Sequence, residues 1–275
     1  MKTLTRISVA VLLAFVFMPA AKADTYGVIR SWDTQRGGDL YGAETDALGY
    51  SAFESGLTAR GHTVLDGVSE LTAANLAGVD LFFYGTTSHV LTSDEAAAIN
   101  SFVSNGGCVI VEADTEASEK ASANSLLNAL GLSSLYNGSE GGTQSTTAGL
   151  FTSATTWATV GPMGDLRNQQ LGMTLTTDLD VGSGVLVAVN DAINAMVELQ
   201  PFGDSGGRVL AVGDPLGFNL FQLAGSSYYN PNNQAAYINF FENQLLRPVP
   251  IPGAALLGML GLSVAGAKLR KRRDT

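Results

Sequence analysis

The stretch LTSDEAAAINSFVSNGGCVIVEAD, residues 91–114, decides the fold. Thr92 and Glu95 stand at capping-box spacing, so a helix is predicted to begin just after Thr92. Ala97, Ile99, Phe102 and Val103 fall on one side of that helix and form its expected inner face. Gly106 and Gly107 end it, because glycine accepts the backbone angles a helix terminus needs. CVIVE, residues 108–112, then reads as a strand covered on both faces, with Asp114 at its exit. A helix leading directly into a buried strand is the repeating half of a parallel α/β sheet.

Working outward, the alternation holds. Upstream, TYGVIR (residues 25–30) is a short β-rich run, followed by a polar loop with Ser31, Trp32, Asp33, Gly37, Gly38 and Asp39. Residues 47–60 carry Leu48, Ala52, Phe53 and Leu57 at helical spacing, with Gly61 as the residue after the cap. Residues 62–65 predict a second short strand, and residues 71–76 one or two helical turns. DLFFYG, residues 80–85, is a buried strand whose exit loop holds Thr86, Thr87, Ser88 and His89. Downstream, residues 118–130 predict a helix with Leu126, Leu127 and Leu130 inward, and residues 138–149 a polar loop. Three short runs, 173–177, 185–189 and 195–199, read as β-hairpins added to the sheet. RVLAVG, residues 208–213, is again a buried strand, exiting at Asp214-Pro215. Residues 234–246 predict a last helix with Ala235, Ile238, Phe241, Leu245 and Leu246 apolar. The expectation is one α/β domain over residues 24–247: a flavodoxin-like, mostly parallel sheet flanked by helices, with hairpins in its C-terminal half.

The two ends read as addresses. Residues 1–23, MKTLTRISVAVLLAFVFMPAAKA, have a basic start (Lys2, Arg6), an apolar stretch and Ala21-Lys22-Ala23 as a small-x-small cleavage site, which predicts a signal peptide with Asp24 as the new N-terminus. At the other end, Pro248, Pro250 and Pro252 interrupt the preceding helix. The 17 residues 251–267 carry no charge, enough for a transmembrane helix, and Lys268, Arg270, Lys271, Arg272 and Arg273 follow. The positive-inside rule keeps that cluster cytoplasmic and the domain outside.

The order of Val249-Pro250-Ile251-Pro252-Gly253, apolar run and basic tail resembles the PEP-CTERM sorting signals that exosortases process, in a V-P-x-P form with Ile251 where the motif name has Glu. That resemblance implies signal peptidase and the secretion machinery as first partners and an exosortase-type enzyme as a later one. It also implies anchoring at the outer face of the inner membrane before passage to the surface or an exopolysaccharide matrix. A plain, uncut membrane anchor is the alternative. Residues 91–114, together with GGRVLAVGDPLGFN and the NNQAAYINFFENQLL that follows it, are similar to the class I glutamine amidotransferase-like superfamily, nearest its non-catalytic DUF4350-like and ThuA-like branches.

Composition narrows the function. Eight of the 15 basic residues lie in the two ends, and only one acidic residue, Asp274, does. The middle keeps seven basic against 24 acidic residues, a net charge of −17, which disfavours nucleic acid. Cys108 is the only cysteine, so no internal disulfide forms. In the catalytic amidotransferases the nucleophile is a cysteine in the elbow after the strand that matches residues 80–85. Here that place reads Tyr84-Gly85-Thr86-Thr87-Ser88-His89, without cysteine. Cys108 opens its strand and His89 follows the exit of another, which puts them at opposite ends of a parallel sheet, about 15–20 Å apart. His62 belongs to the end with Cys108. Neither a P-loop nor a dinucleotide fingerprint is present, and two separated histidines with one thiol do not make a zinc site, so no metal or cofactor is expected.

Ligands of open α/β sheets bind outside the carboxyl ends of the strands. Those exits supply Arg30, Asp33, Ser88, His89, Asp114 and Asp214, and the first loop adds Asp39, Glu44 and Asp46. Asp33, Ser88, His89, Asp114 and Asp214 are the candidate ligand-binding residues, with Trp32 and Tyr84 as aromatic walls for a sugar; each acid also suits a turn cap. The first reading is a non-enzymatic envelope or matrix protein that binds a glycan or a protein. A carbohydrate-active hydrolase using strand-exit carboxylates is the second. A purely structural assembly component, its mouth filled by the 138–149 loop, is the third.

Overall fold

A computed structural model describes residues 27–32, 51–85, 87–138, 140–141, 149–172, 176–191, 193–213 and 230–246. The predicted signal peptide and the sorting tail lie outside these residues. Among the described residues no helix is long and apolar enough to cross a membrane.

Nine strands form one sheet. Its parallel half contains β1 (Val28–Trp32), β2 (Thr63–Val64), β3 (Leu81–Tyr84), β4 (Cys108–Glu112) and β13 (Val209–Val212). Its antiparallel half contains β12 (Ile193–Leu199), β11 (Val185–Asn190), β6 (Gly149–Phe151) and β9 (Gln170–Leu171). The spatial order is β2-β1-β3-β4-β13-β12-β11-β6-β9. Parallel pairing thus stops at β13, and the hairpin β11–β12 carries the sheet on in antiparallel register. Two small ribbons stand apart: β5 (Glu140–Gly141) with β10 (Thr176–Thr177), and β7 (Val160–Gly161) with β8 (Gly164–Asp165).

Helices cover both faces. On one face, α1 (Ser51–Ala59) and α4 (Pro231–Leu245) bury Phe53, Leu57, Tyr237, Phe240 and Phe241 against Ile29, Phe83, Ile110 and Val212. On the other, α2 (Ser93–Ser104) and α3 (Ala117–Ala129) bury Ile99, Phe102, Val103, Leu126 and Leu127 against Phe82, Val109, Val111 and Ala211. Each such fully buried large side chain contributes about 1.5–3 kcal/mol. The central strands β3, β4 and β13 are apolar, apart from Glu112 at the end of β4, because both of their faces are covered.

The local chemistry matches this layering. Thr92 caps α2, and the full capping box with Glu95 is formed. Gly61, at φ 89°, turns the chain from α1 into β2, a backbone angle that favours glycine. Three boundaries differ from expectation. Ala97 faces solvent, and Glu95 takes the inward place beside Ile99. Ser31 and Trp32 belong to β1 rather than to a loop. The last helix begins at Pro231, capped by the Asn230 side chain, and Leu246 lies beyond its end, exposed. Proline is well suited to the first helical position, where its missing N–H is not needed.

Candidate functional site

The chain passes from β1 outward to β2, then returns to place β3 on the other side of β1. The strand order therefore reverses between β1 and β3, and the crevice at their carboxyl ends is where this architecture binds ligands. The loop leaving β3 carries Ser88 and His89 into that region.

His89 is held from several directions. Its backbone N–H donates to Thr87 Oγ1 (3.1 Å), and Thr87 is buried. Its carbonyl oxygen lies 3.0 Å from the Tyr84 hydroxyl and 2.5 Å from Ser122 Oγ, and the two hydroxyls are 2.7 Å apart. Its imidazole Nε2 is 2.8 Å from Glu95 Oε2. The same carboxylate oxygen accepts from the Thr92 backbone N–H and from Thr92 Oγ1, both at 2.8 Å. Burial alone pushes the Glu95 carboxyl up, but the bonds from His89 and Thr92 outweigh it and hold the group below the ordinary glutamate value. Burial also pushes the Tyr84 hydroxyl above its ordinary range. His89 and Glu95 thus form an imidazole–carboxylate pair that fixes the β3 exit to the start of α2.

Tyr84 is fully buried and is no wall of an open mouth. Its ring lies in the core, and its hydroxyl is engaged by Ser122. Ser88 is exposed. Asp114 is half-buried, and its carboxylate accepts the backbone N–H of Thr115 at 2.7 Å, which makes it the turn residue after β4. Its own N–H donates to Glu119 Oε2 at 3.0 Å. Ser88 and His89 therefore share one loop, while Asp114 organises its own turn on the next strand. Asp33, Asp39, Glu44, Asp46 and Asp214 lie outside the described residues, as does the side chain of Trp32. Arg30 points its guanidinium at Asn75, with Nη1 3.4 Å from Oδ1.

The exits of β4 and β13 are closed by the C-terminal half of the chain. Thr177 donates its N–H to Gly213 (2.8 Å) and its hydroxyl to the Asp114 carbonyl (3.0 Å). Thr176 and Thr177 are fully buried, and Asn190 Nδ2 donates to Thr176 Oγ1 at 2.8 Å. A Cβ at Gly213 would stand 2.3 Å from the Thr177 carbonyl oxygen, so glycine is required for this approach. Beneath the closure, Glu112 Oε1 accepts the Tyr237 hydroxyl at 2.6 Å. Sequence reasoning missed Glu112 and Tyr237, although a glutamate ending an apolar strand is a visible signal for a buried acid.

Two further polar clusters occupy the opposite, amino end of the parallel strands. Arg60 grips Glu242 through Nε and Nη2, both at 2.5 Å. His62 accepts from the Gly27 N–H at Nδ1, so its Nε2 carries the proton donated to Glu242 at 3.0 Å. The buried Glu198 accepts from Arg208, Trp157 N–H and Ala158 N–H, while Arg208 stacks 4.0 Å over the Trp157 ring. Burial raises the Glu198 carboxyl despite the arginine. Cys108 is at this end too, fully buried, its thiol pushed up by desolvation. Among the described residues no group of three or more His, Cys, Asp or Glu is placed to hold a metal ion.

No family model matches the chain, and no curated protein matches it. Solved structures do. The mmIFT52 N-terminal domain is similar at 14% identity over 78% of this chain and 95% of that one, with a TM-score of 0.54. A cytoplasmic protein from Salmonella typhimurium is similar at 11% identity over 70% and 85%, with a TM-score of 0.48. A ThuA-like protein from Bacteroides uniformis is similar at 11% identity over 83% and 94%, with a TM-score of 0.47. At these identities the likeness is one of fold alone.

Proposed function

We propose that this chain is an exported, surface-sorted envelope or matrix protein whose α/β domain binds a glycan or protein partner without carrying out a reaction on it. The observation that carries this reading is the engagement of the groups at the switch point. His89 is bonded to Glu95, Glu95 completes the capping box of α2 with Thr92, and the Tyr84 and Ser122 hydroxyls are bonded to each other and to the His89 carbonyl. A general base needs a proton to take from a substrate, and a nucleophile needs a base beside it. Here the base and acid of the loop hold the loop itself. The export signal, the V-P-I-P-G motif and the basic tail supply the secretion machinery, signal peptidase, an exosortase-type enzyme and the inner membrane as partners in delivery.

A purely structural assembly role is the second reading. It is favoured by Thr176 and Thr177, which close the exits of β4 and β13 and pair with residues 140–141 of the loop expected to fill the mouth. The test is incubation of the purified full-length chain with exopolysaccharide from the producing cells. Co-sedimentation without new reducing ends is the expected result. Reducing ends that accumulate with time and vanish in Asp114→Asn would replace this reading with a hydrolase using strand-exit carboxylates. Failure to co-sediment with polysaccharide or any envelope protein would favour the assembly role.

A further inference from the structure

A hollow of about 250 Å³ opens at the amino ends of β3 and β4, away from the switch point. Leu76 and Val79, from the turn before β3, and Ala98 and Phe102, from α2, make its floor. The Phe102 ring packs on Gly107, where a Cβ would stand 2.3 Å from it. Ser101 and Asn105 form the rim. The Asn105 amide is already engaged there, donating to the Ser101 carbonyl oxygen (2.8 Å) and hydroxyl (3.3 Å). None of the lining residues is charged. The hollow is smaller than the about 300–1,000 Å³ of sites that enclose a small molecule. An uncharged, partly aromatic trough of this size suits a short stretch of extended chain.

The end of α4 arrives beside it. Gln244 donates its Nε2 to the Gly106 carbonyl, and Gly106 stands between Asn105 and Gly107, both of which line the hollow. Leu246, the last described residue, is exposed, so the chain leaves the domain at this edge with an apolar side chain in water. The residues that follow, Arg247-Pro248-Val249-Pro250-Ile251-Pro252-Gly253, carry one charge at their start and none after it. Proline at every second position favours extended, polyproline-like backbone. It also removes three N–H groups that would need acceptors, and leaves Val249 and Ile251 to pack. Aromatic-lined grooves take up such segments because little chain entropy remains to be lost. At about 3.1 Å per residue, residues 247–252 reach about 19 Å, more than the about 10–12 Å width of α2.

We infer that this hollow is the docking site of residues 248–252 of the same chain, which pack on Leu76, Val79 and Phe102. The folded domain then shelters the V-P-I-P-G stretch, and an enzyme that reads it meets it only on release. The inference goes beyond the proposed function and does not require the tail to be cut.

The test traps the contact in the full-length chain held in non-ionic detergent. Ser101→Cys on the rim is combined with Ile251→Cys in the segment, and the native Cys108 is fully buried. A disulfide requires Cα atoms within about 7 Å, so it reports docking. Mild oxidation is expected to link positions 101 and 251 within one chain, seen as a linked peptide from a monomer-sized band. Ile251→Cys with Thr58→Cys, an exposed position on α1 near the end of α4, is expected to link at least about tenfold more slowly. Equal rates for the two pairs overturn the inference. Linked dimers place the segment of a second copy in the hollow and overturn the same-chain assignment. A second measurement uses Ala98→Cys alone, alkylated with a maleimide. Adding Pro250→Asp and Ile251→Asp, which put charge into an uncharged trough, should speed alkylation about tenfold. An unchanged rate overturns the inference. If both measurements fail while protein from the producing cells still ends within residues 249–253, this inference falls and the proposed function stands.

Discussion

Replacing Glu95 by alanine is expected to loosen the whole β3 exit, because one carboxylate ties together the loop and the helix behind it. The group is buried and accepts from Thr92 N–H, Thr92 Oγ1 and His89 Nε2, each at 2.8 Å. Loss of the reciprocal capping-box bond from the Thr92 N–H costs about 1 kcal/mol, while the Thr92 Oγ1 cap on the residue-95 N–H remains. The two further contacts to a charged acceptor cost about 1 kcal/mol each where they are part-buried. The sum, about 3 kcal/mol, lowers the melting temperature by about 6–12 °C for a domain of this size. Glu95→Gln keeps the size and one acceptor oxygen and should lose about 1 kcal/mol. The pH dependence has a definite sign. The folded-state pKa of Glu95 lies below its ordinary 4.5, so its contribution is complete above that value and disappears as pH falls through the lower folded-state value. The gap between parent and Glu95→Gln therefore closes on acidification below about pH 4.5. Thermal unfolding followed by circular dichroism at pH 7 and at about pH 3.5 measures both effects. An alanine variant that melts within about 1 °C of the parent at pH 7 would refute the reasoning.

Three other outcomes are expected. Gly207→Ala places a Cβ 1.8 Å from the Gly107 carbonyl oxygen and 2.6 Å from its carbonyl carbon, backbone that cannot swing aside, and should abolish soluble folded protein in an expression test. Cys108 should react with a thiol reagent only after denaturant unfolds the chain, since the group is fully buried and its thiol pushed up by desolvation. Glu242→Gln leaves the guanidinium of Arg60 and the Nε2 proton of His62 without their carboxylate and should cost about 2–4 kcal/mol in a urea titration, with the penalty shrinking below about pH 4.5 because the Glu242 carboxyl is also held low.

The elements read most clearly from sequence are those whose signals are local. The Thr92–Glu95 box, the apolar run of residues 108–112 and the glycines that end the helices specify β3-α2-β4-α3 with boundaries close to those observed. Ala97 was the exception: an alanine is too small to reveal which side it faces, and the inward place beside Ile99 goes to Glu95, whose carboxylate is satisfied by His89 and Thr92. Residues 149–172 carried no legible strand. β6 and β9 are three and two residues long and pair with each other, and β6 also with β11, so their existence depends on contacts distant in sequence. The start of α4 was hidden by an Asn-Pro-Asn-Asn run that reads as a turn until Asn230 is seen to cap it.

The site was legible in part. Position alone placed Ser88 and His89 at the β3 exit and Asp114 at the β4 exit, as the parallel sheet requires. The link from His89 to Glu95 had a signal in the sequence, a histidine three residues before a capping-box threonine, but the pairing became visible only once the loop geometry was known. Closure of the β4 and β13 exits by Thr176 and Thr177 had none, because a threonine 63 residues from Asp114 carries no periodicity that points to it.

The measurement that bears most directly on the account is native intact-mass analysis of the protein recovered from the envelope of its own cells. A chain that starts at Asp24, ends within residues 249–253 and carries the mass of a retained ligand or attached glycan is the predicted result. A chain that keeps Lys268–Arg273 and carries no added mass would contradict it, leaving a plain membrane anchor and no bound partner.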